Sequence, residues 1–276
     1  MSTRPPSRLY AVVGDPVNHS LSPLIHNRWI RAAGLDAHYS AIHLQSADAA
    51  PAIRSLACEY SGLNVTLPHK LAALAAAVTT SPDAREVGAA NTLVRDSSGW
   101  SAHNTDVAGF AEALRAAGAG DLASKRVVLI GAGGAARAGA VHLARLGVRL
   151  VIVNRTRANA DRLAQQLAPG AETAEFDRLG QLAEEAALVV NSASLGHADA
   201  RLPALPAGKG RPFLDMSYGK PAEAALAQAR AAGWSPHDGL AMLVGQAAAA
   251  FRIWFGVSPD MDDALTSCRA ALAART

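Results

Sequence analysis

Cysteine is scarce. Cys58 and Cys268 are the only two in 276 residues, far apart and outside any C-x-x-C pair, so neither a thiolate zinc site nor a disulfide framework is supported. A reducing cytoplasm is the setting this implies. Lys and Arg never run longer than a pair, and a net charge of +3 is too mild and too scattered to argue for nucleic acid; it fits small anionic ligands. Long apolar runs are missing as well: nothing is long enough to span a membrane, and MSTRPPSRLYAVVGDP holds no signal-peptide stretch. The nine histidines form no H-E-x-x-H or similar ligand spacing, so no metal is expected.

What remains is an ordinary globular composition, 50% hydrophobic and 18% charged, in a chain long enough for two domains. Its most informative stretch is KRVVLIGAGGAARAGAVHLARLGVRLVIVNRTR, residues 125–157. Val127 to Ile130 are a short, β-branched-rich apolar run, followed by glycines, a helical pattern to Leu146, and a second apolar run from Leu150 to Val153. This is a βαβ unit of the kind that binds half a dinucleotide. Gly131, Gly133 and Ala136 fill the G-x-G-x-x-G/A positions: a tight turn, close approach of pyrophosphate, and packing of helix on strand. Gly131, Ala132, Gly133, Gly134 and Ala135 are therefore cofactor candidates, at a helix N-terminus whose free N–H groups suit phosphate.

The end of the second strand selects the cofactor. NAD-binding units carry an acidic residue there, roughly 20 residues beyond the first glycine, to hold the ribose 2′-hydroxyl. Here the place is taken by Asn154, Arg155, Thr156 and Arg157. Guanidinium groups suit a dianionic 2′-phosphate, so NADP is favoured over NAD.

Strands and helices also alternate from the start of the chain, which predicts an α/β fold there too. Strands are expected over 9–13, 38–44, 62–67 and 89–94, with helices over 24–33 and 47–57. Ser20 and Ser22 precede the first helix; one can cap it, which leaves the other for an anion. Asn64 and Thr66 share one face of a strand that otherwise reads as buried, so they need partners or a ligand. Lys70 follows near a helix start. Asn91 and Thr92 lie within the next strand, and Asn104–Thr105–Asp106 leads into a helix over 107–117, with Asp106 also an N-cap candidate. Polar residues grouped at strand ends point to a ligand site at the carboxyl edge of a sheet.

Beyond the βαβ unit, strands are expected over 188–191 and 213–216 and helices over 158–167, 179–186, 240–255 and 260–273. The loops NSASLG (191–196) and DMSYGK (215–220) fall where a dinucleotide would run. Gln246 is a lone amide among small and apolar residues on a helix, where a buried amide wants partners.

Taken in order, GDPVNHSLSPLIHN, NVTLPHK, AANTL, NTD, IGAGGAAR, NRT, DMSY and GLAMLVGQAA resemble the shikimate dehydrogenase family over nearly the whole chain. The resemblance implies an NADP-dependent oxidoreductase that reversibly reduces 3-dehydroshikimate to shikimate in aromatic amino acid biosynthesis. It implies two α/β domains: a substrate-binding catalytic domain of residues 1–106 completed by C-terminal helices 240–276, and a Rossmann-type NADP-binding domain of 107–239. By resemblance, Lys70 is the acid-base group, paired with Asp106; Ser20, Ser22 and Tyr218 hold the substrate carboxylate, and Asn64, Thr66, Asn91, Asp106 and Gln246 its ring hydroxyls. NADP lies on Gly131 to Ala135, on the Asn154 loop, and near Met216 and Gly239. A paralogue acting on quinate or an amino analogue, with NADP or NAD, stays open as an alternative, as does a homodimer. A non-catalytic NADP sensor is disfavoured, because a pure binder has no need of a proton donor. The chain departs from the common pattern at His69, often phenylalanine; at Val107, often glycine; in NSASLG; and at Asn159, where a second basic residue is frequent.

Overall fold

The computed structural model describes residues 7–45, 47–193 and 202–275. Ser194, Leu195 and Gly196 of the NSASLG loop lie outside them. The chain divides into two units, Met1–Thr105 with Gln246–Thr276, and Asp106–Gly245.

The first unit opens with β1 (Arg8–Gly14), α1 (Ser22–Ala32), β2 (Ala37–His43), α2 (Ala49–Ser55), β3 (Gly62–Val65), α3 (Lys70–Ala76), β4 (Thr79–Thr80), α4 (Pro82–Val87), β5 (Thr92–Asp96) and β6 (Gly99–His103). The sheet order is β2-β1-β3-β5-β6-β4. β1 sits between two parallel neighbours, and its Tyr10–Val13 run is buried on both faces, as an interior parallel strand requires. The Asn27 side chain ties α1 to the outer strand, its amide donating to the Tyr39 carbonyl and its oxygen accepting the Tyr39 N–H.

The strand expected over 89–94 differs in the structure. β5 starts at Thr92, so Ala89 to Asn91 precede it, and it runs antiparallel to β3 and to β6. The reason is local: Asp96 Oδ1 accepts the N–H groups of Ser98 and Gly99 and closes a tight turn, which folds the chain straight back into β6. The sheet is mixed. The amino end of β5 therefore lies beside the carboxyl end of β3, with Thr92 opposite Asn64, and beside His103 at the carboxyl end of β6.

The second unit holds α5 (Asp106–Ala116), β7 (Arg126–Ile130), α6 (Gly134–Arg145), β8 (Arg149–Val153), α7 (Arg157–Leu167), β9 (Glu172–Ala174), α8 (Leu179–Ala183), β10 (Leu188–Asn191), β11 (Pro212–Asp215), α9 (Lys220–Ala231) and β12 (Ser235–His237). Its order, β12-β11-β10-β7-β8-β9, is parallel throughout. Sequence order reverses between β7 and β10, which makes the carboxyl ends of those two strands a topological switch point. Val127 to Ile130 are fully buried, feeding one apolar cluster on each face of the sheet.

The last helices are α10 (Leu240–Phe255) and α11 (Met261–Ala273). Their part in the first unit is built on aromatics. The Trp254 indole packs on Tyr10 with centroids 5.0 Å apart and donates to the Leu93 carbonyl, while Trp29 on α1 donates to the Asp260 carbonyl. Trp254 fits only because residue 62 is glycine, whose Cβ would stand 2.4 Å from the indole nitrogen.

Candidate active site

In the first unit the polar residues at the strand ends form one hydrogen-bonded chain. Tyr39 Oη donates to Asn64 Oδ1 at 2.6 Å, and Asn64 Nδ2 donates to Thr92 Oγ1 at 3.0 Å and to the Asn91 carbonyl at 3.3 Å. Asn91 Oδ1 accepts the Thr105 N–H at 2.7 Å and the Thr92 hydroxyl at 3.1 Å; its Nδ2 lies 3.0 Å from Thr105 Oγ1 and 3.3 Å from Gln246 Oε1. Asn64, Asn91, Thr92 and Thr105 are all buried. A half-satisfied buried network is worse than an apolar core, so a connected one holds each amide in one orientation. The mixed sheet is what allows it, since Asn91 enters from the start of a strand and Asn64 from near the end of one.

Ser20 and Ser22 divide their tasks. Neither acts as a side-chain cap at the α1 N-cap position, which is Leu21. Ser20 Oγ accepts the Ser22 N–H at 3.2 Å. Burial pushes the Tyr39 phenol well up, opposed by a hydrogen bond from Ser22. Thr66 falls just past β3 and is half-buried, its N–H donating to the Val13 carbonyl. Lys70 is the first residue of α3, half-buried, and its carbonyl accepts the Ala90 N–H. His69, the departure from phenylalanine, is buried and partnered through Nε2 to the Leu44 carbonyl at 2.7 Å. Tyr39 and Thr105 carry no role in the sequence reading. Tyr39 is one aromatic in an alternating strand, and Thr105 is visible only as the middle of NTD.

Beneath this chain lies His26, fully buried on α1, its ring stacked on Tyr39 at 4.3 Å. Neither ring nitrogen has a hydrogen-bond partner among the described residues. Burial pulls its pKa down to about 3, slightly opposed by the nearby Asn64 side chain.

In the second unit Asp106 is the buried first residue of α5. Gly131 turns with φ +101°, and a Cβ there would meet Ser192 Oγ at 2.6 Å, so both conformation and space demand glycine. Gly133 is the α6 N-cap, and a Cβ on it would meet no atom within 4 Å, which leaves open space over the first-turn N–H groups of Gly134 and Ala135. That cradle fits a pyrophosphate. Ala136 is buried, as helix-on-strand packing requires. Asn154, just past β8, donates through Nδ2 to the Thr156 carbonyl at 2.9 Å; Arg155 is exposed, and Arg157 starts α7 with Asp161 at 3.7 Å. Met216 and Tyr218 follow β11 and are half-buried. Gly239 packs so closely that a Cβ would stand 2.1 Å from the Met216 carbonyl oxygen. Two further buried groups, Asn191 and Asp215, end β10 and β11; in the sequence they stand out only as the boundaries of loops.

No group of His, Cys, Asp and Glu able to hold a metal occurs among the described residues, and no described helix is long and apolar enough to cross a membrane.

Comparison with known proteins gives a consistent picture. Residues 12–93 match the shikimate dehydrogenase substrate binding domain, 112–200 the shikimate/quinate 5-dehydrogenase domain, and 239–264 the shikimate 5′-dehydrogenase C-terminal domain. The shikimate dehydrogenase (NADP(+)) of Hyphomonas neptunium is 49% identical over 264 residues, 95% of this chain and 97% of that protein. Among solved structures, Thermus thermophilus shikimate 5-dehydrogenase in complex with NADP(H) and shikimate superposes with a TM-score of 0.81 at 33% identity, covering 96% of this chain and 99% of that one. Corynebacterium glutamicum quinate dehydrogenase in complex with NAD gives 0.83 at 29% identity, with the same coverage of each chain.

Proposed function

The chain belongs to the shikimate dehydrogenase family, and from that premise we propose how its own residues divide the work. It is an NADP-dependent oxidoreductase that reversibly reduces 3-dehydroshikimate to shikimate. We assign the substrate to the unit built on β1–β6 and NADP to the unit built on β7–β12. Bound NADPH supplies the hydride. As negative charge develops on the ketone oxygen, the Lys70 ammonium stabilises it and gives up a proton to it, with Asp106 keeping Lys70 oriented. Ser20, Ser22 and Tyr218 hold the ring carboxylate. Asn64, Thr66, Asn91, Asp106 and Gln246 hold the ring hydroxyls.

The observation that carries this reading is the chain of buried amides and hydroxyls from Tyr39 to Gln246. Fixed amides reject a ring lacking the matching hydroxyl, because their own polar atoms would be left unpaired. On the cofactor side, Gly131 to Ala135 take the pyrophosphate, Asn154 to Arg157 the 2′-phosphate, and Met216 and Gly239 the nicotinamide. Support for NADP is the absence of any carboxylate from Asn154 to Arg157.

The test is oxidation of shikimate and of quinate, each with NADP and with NAD, by the native chain and by Lys70→Ala. Shikimate turnover with NADP that falls by about 10²–10⁴ in the variant supports the acid-base role. Turnover only with quinate or NAD moves the protein to the paralogue reading. Turnover undiminished in the variant removes Lys70 from the mechanism.

A cytoplasmic setting, where Cys58 and Cys268 stay thiols, belongs to the same proposal. So does a homodimer, supported by the exposed apolar side chains of Leu67, Leu71 and Val78. Sedimentation at the mass of one chain, 28.4 kDa, would refute the dimer.

A further inference from the structure

We propose that Asn191 and Asp215 are positioning residues, a buried pair that fixes the spacing between the glycine turn at Gly131 and the Met216–Tyr218 turn, and so the seat of the nicotinamide half of NADP. The inference rests on the reading above that this unit binds NADP with Met216 and Gly239 at the nicotinamide.

β10 and β11 are parallel neighbours that end level, with Asn191 opposite Asp215. Each residue is 1% exposed. Asn191 Nδ2 donates to Asp215 Oδ2 at 2.8 Å, and Asp215 Oδ1 accepts the Ser217 N–H at 2.7 Å. Asn191 uses its remaining groups too: Oδ1 accepts the Ala193 N–H at 3.1 Å, and its carbonyl accepts the Met216 N–H at 2.8 Å. The next residue completes the path. Ser192 donates through both N–H and hydroxyl to the Ile130 carbonyl, and its Oγ occupies the space beside Gly131. Hydrogen bonds and close contacts thus run without a break from Gly131 through Ser192, Asn191 and Asp215 to Ser217.

The far side of the turn is braced as closely. Gly239 donates to the Ser217 carbonyl and leaves no room for a Cβ beside Met216, whose Cε in turn lies 2.9 Å from where a Cβ on Gly139 would stand. Only a carboxylate suits position 215. Two donors, the Asn191 amide and the Ser217 N–H, converge on it, and a carboxylate offers two acceptor oxygens and no donor. An amide at 215 has one acceptor only, so its N–H₂ would oppose either the Asn191 N–H₂ or the Ser217 N–H. Burial pushes the Asp215 pKa up, and the hydrogen bonds from Asn191 and Ser217 act against it by favouring the carboxylate.

The experiment follows binding by nicotinamide fluorescence and by calorimetry, in the native chain, in Asp215→Asn and in the reciprocal Asn191→Asp/Asp215→Asn variant. In the reciprocal variant the amide at 215 donates to a carboxylate at 191, which still accepts the Ala193 N–H, so every hydrogen bond is rebuilt with one direction reversed. Two ligands are compared: NADPH, and its fragment 2′-phosphoadenosine 5′-diphosphoribose, which lacks the nicotinamide. Asp215→Asn is expected to bind the fragment as the native chain does, to bind NADPH less tightly, and to lose kcat by about tenfold to a hundredfold. The reciprocal variant should recover both. Equal loss for fragment and NADPH, no loss at all, or no recovery in the reciprocal variant overturns the positioning role. A native chain that binds neither ligand overturns instead the assignment of NADP to this unit.

Discussion

Replacing His26 with phenylalanine should make the protein more resistant to acid. The imidazole is 0% exposed and walled by rings, with Tyr39 stacked at 4.3 Å, Trp254 at 5.3 Å and Trp29 edge-on at 5.7 Å. Burial holds its pKa at about 3 against an ordinary value of 6.5. The unfolded chain takes up this proton near pH 6.5, whereas the folded chain refuses it until about pH 3. The unfolded state thus binds more protons in that window, and stability falls as the pH falls through it. The shift corresponds to about 5 kcal/mol over the whole window, of which about 2 kcal/mol is already lost at pH 5. Phenylalanine has nothing to titrate; neither ring nitrogen meets a partner at hydrogen-bond geometry among the described residues, and the Asn64 side chain, which favours the charged ring, is the one polar interaction the substitution removes. Urea unfolding at pH 8, 6.5 and 5 measures it, and the difference between the two profiles isolates the one group. The variant should lose about 2 kcal/mol less than the native chain between pH 8 and pH 5. Parallel profiles would refute the neutral, buried imidazole.

Other substitutions probe separate features. Gly131→Ala forces a Cβ to within 2.6 Å of Ser192 Oγ at φ +101°; a loss of about 1–3 kcal/mol in thermal melts, with weakened NADPH binding, is expected. Arg211 donates to the carbonyls of Ala183, Glu184, Ala186, Ala207 and Gly208 and lies 4.5 Å over the Trp234 ring. No ammonium reproduces that planar fork, so Arg211→Lys should lower stability by about 2–4 kcal/mol, read by denaturant midpoint, without changing the KM for shikimate. Asn91→Ala strips the buried Thr105 N–H of an acceptor and removes one donor to Gln246 Oε1. A cost of about 1–3 kcal/mol in melts, together with a raised KM for shikimate, is expected; an unchanged KM would remove the amide from substrate binding.

The residues most legible in the sequence are those whose chemistry is local. Gly131, Gly133 and Ala136 declare themselves because a glycine turn between a buried run and a helix has few other uses, and the parallel sheet of the second unit follows from the alternation around it. Asn64 was visible as a polar residue in a buried strand. Its partners were not, since Tyr39 and Thr92 lie 25 and 28 positions away and only pairing register brings them close. The direction of β5 was hidden for a related reason: it depends on the turn at Asp96, whose carboxylate acts on main-chain groups and leaves no trace in hydrophobic pattern. Short strands such as β4 and β12, two and three residues long, carry too little periodicity to be read. Asp215 was hidden most completely, because a buried carboxylate is recognised only through the donor that meets it, here Asn191, 24 positions earlier.

The hairpin of β5 and β6 keeps its open ends, with Thr92 and His103, at the polar edge, and its tight turn at Asp96–Gly99 at the other end of five-residue strands. At strand rise that separation is about 14–17 Å. The turn is exposed apart from half-buried Gly99; the Asp96 carboxylate closes it onto Ser98 and Gly99, together with the ladder pairing of Asp96 with Gly99. It is thus an attachment point for a label or an inserted peptide. A fluorophore carried there would ride on the same two strands that bear Asn91's neighbours, and could report on their movement without entering the space where a ring would bind.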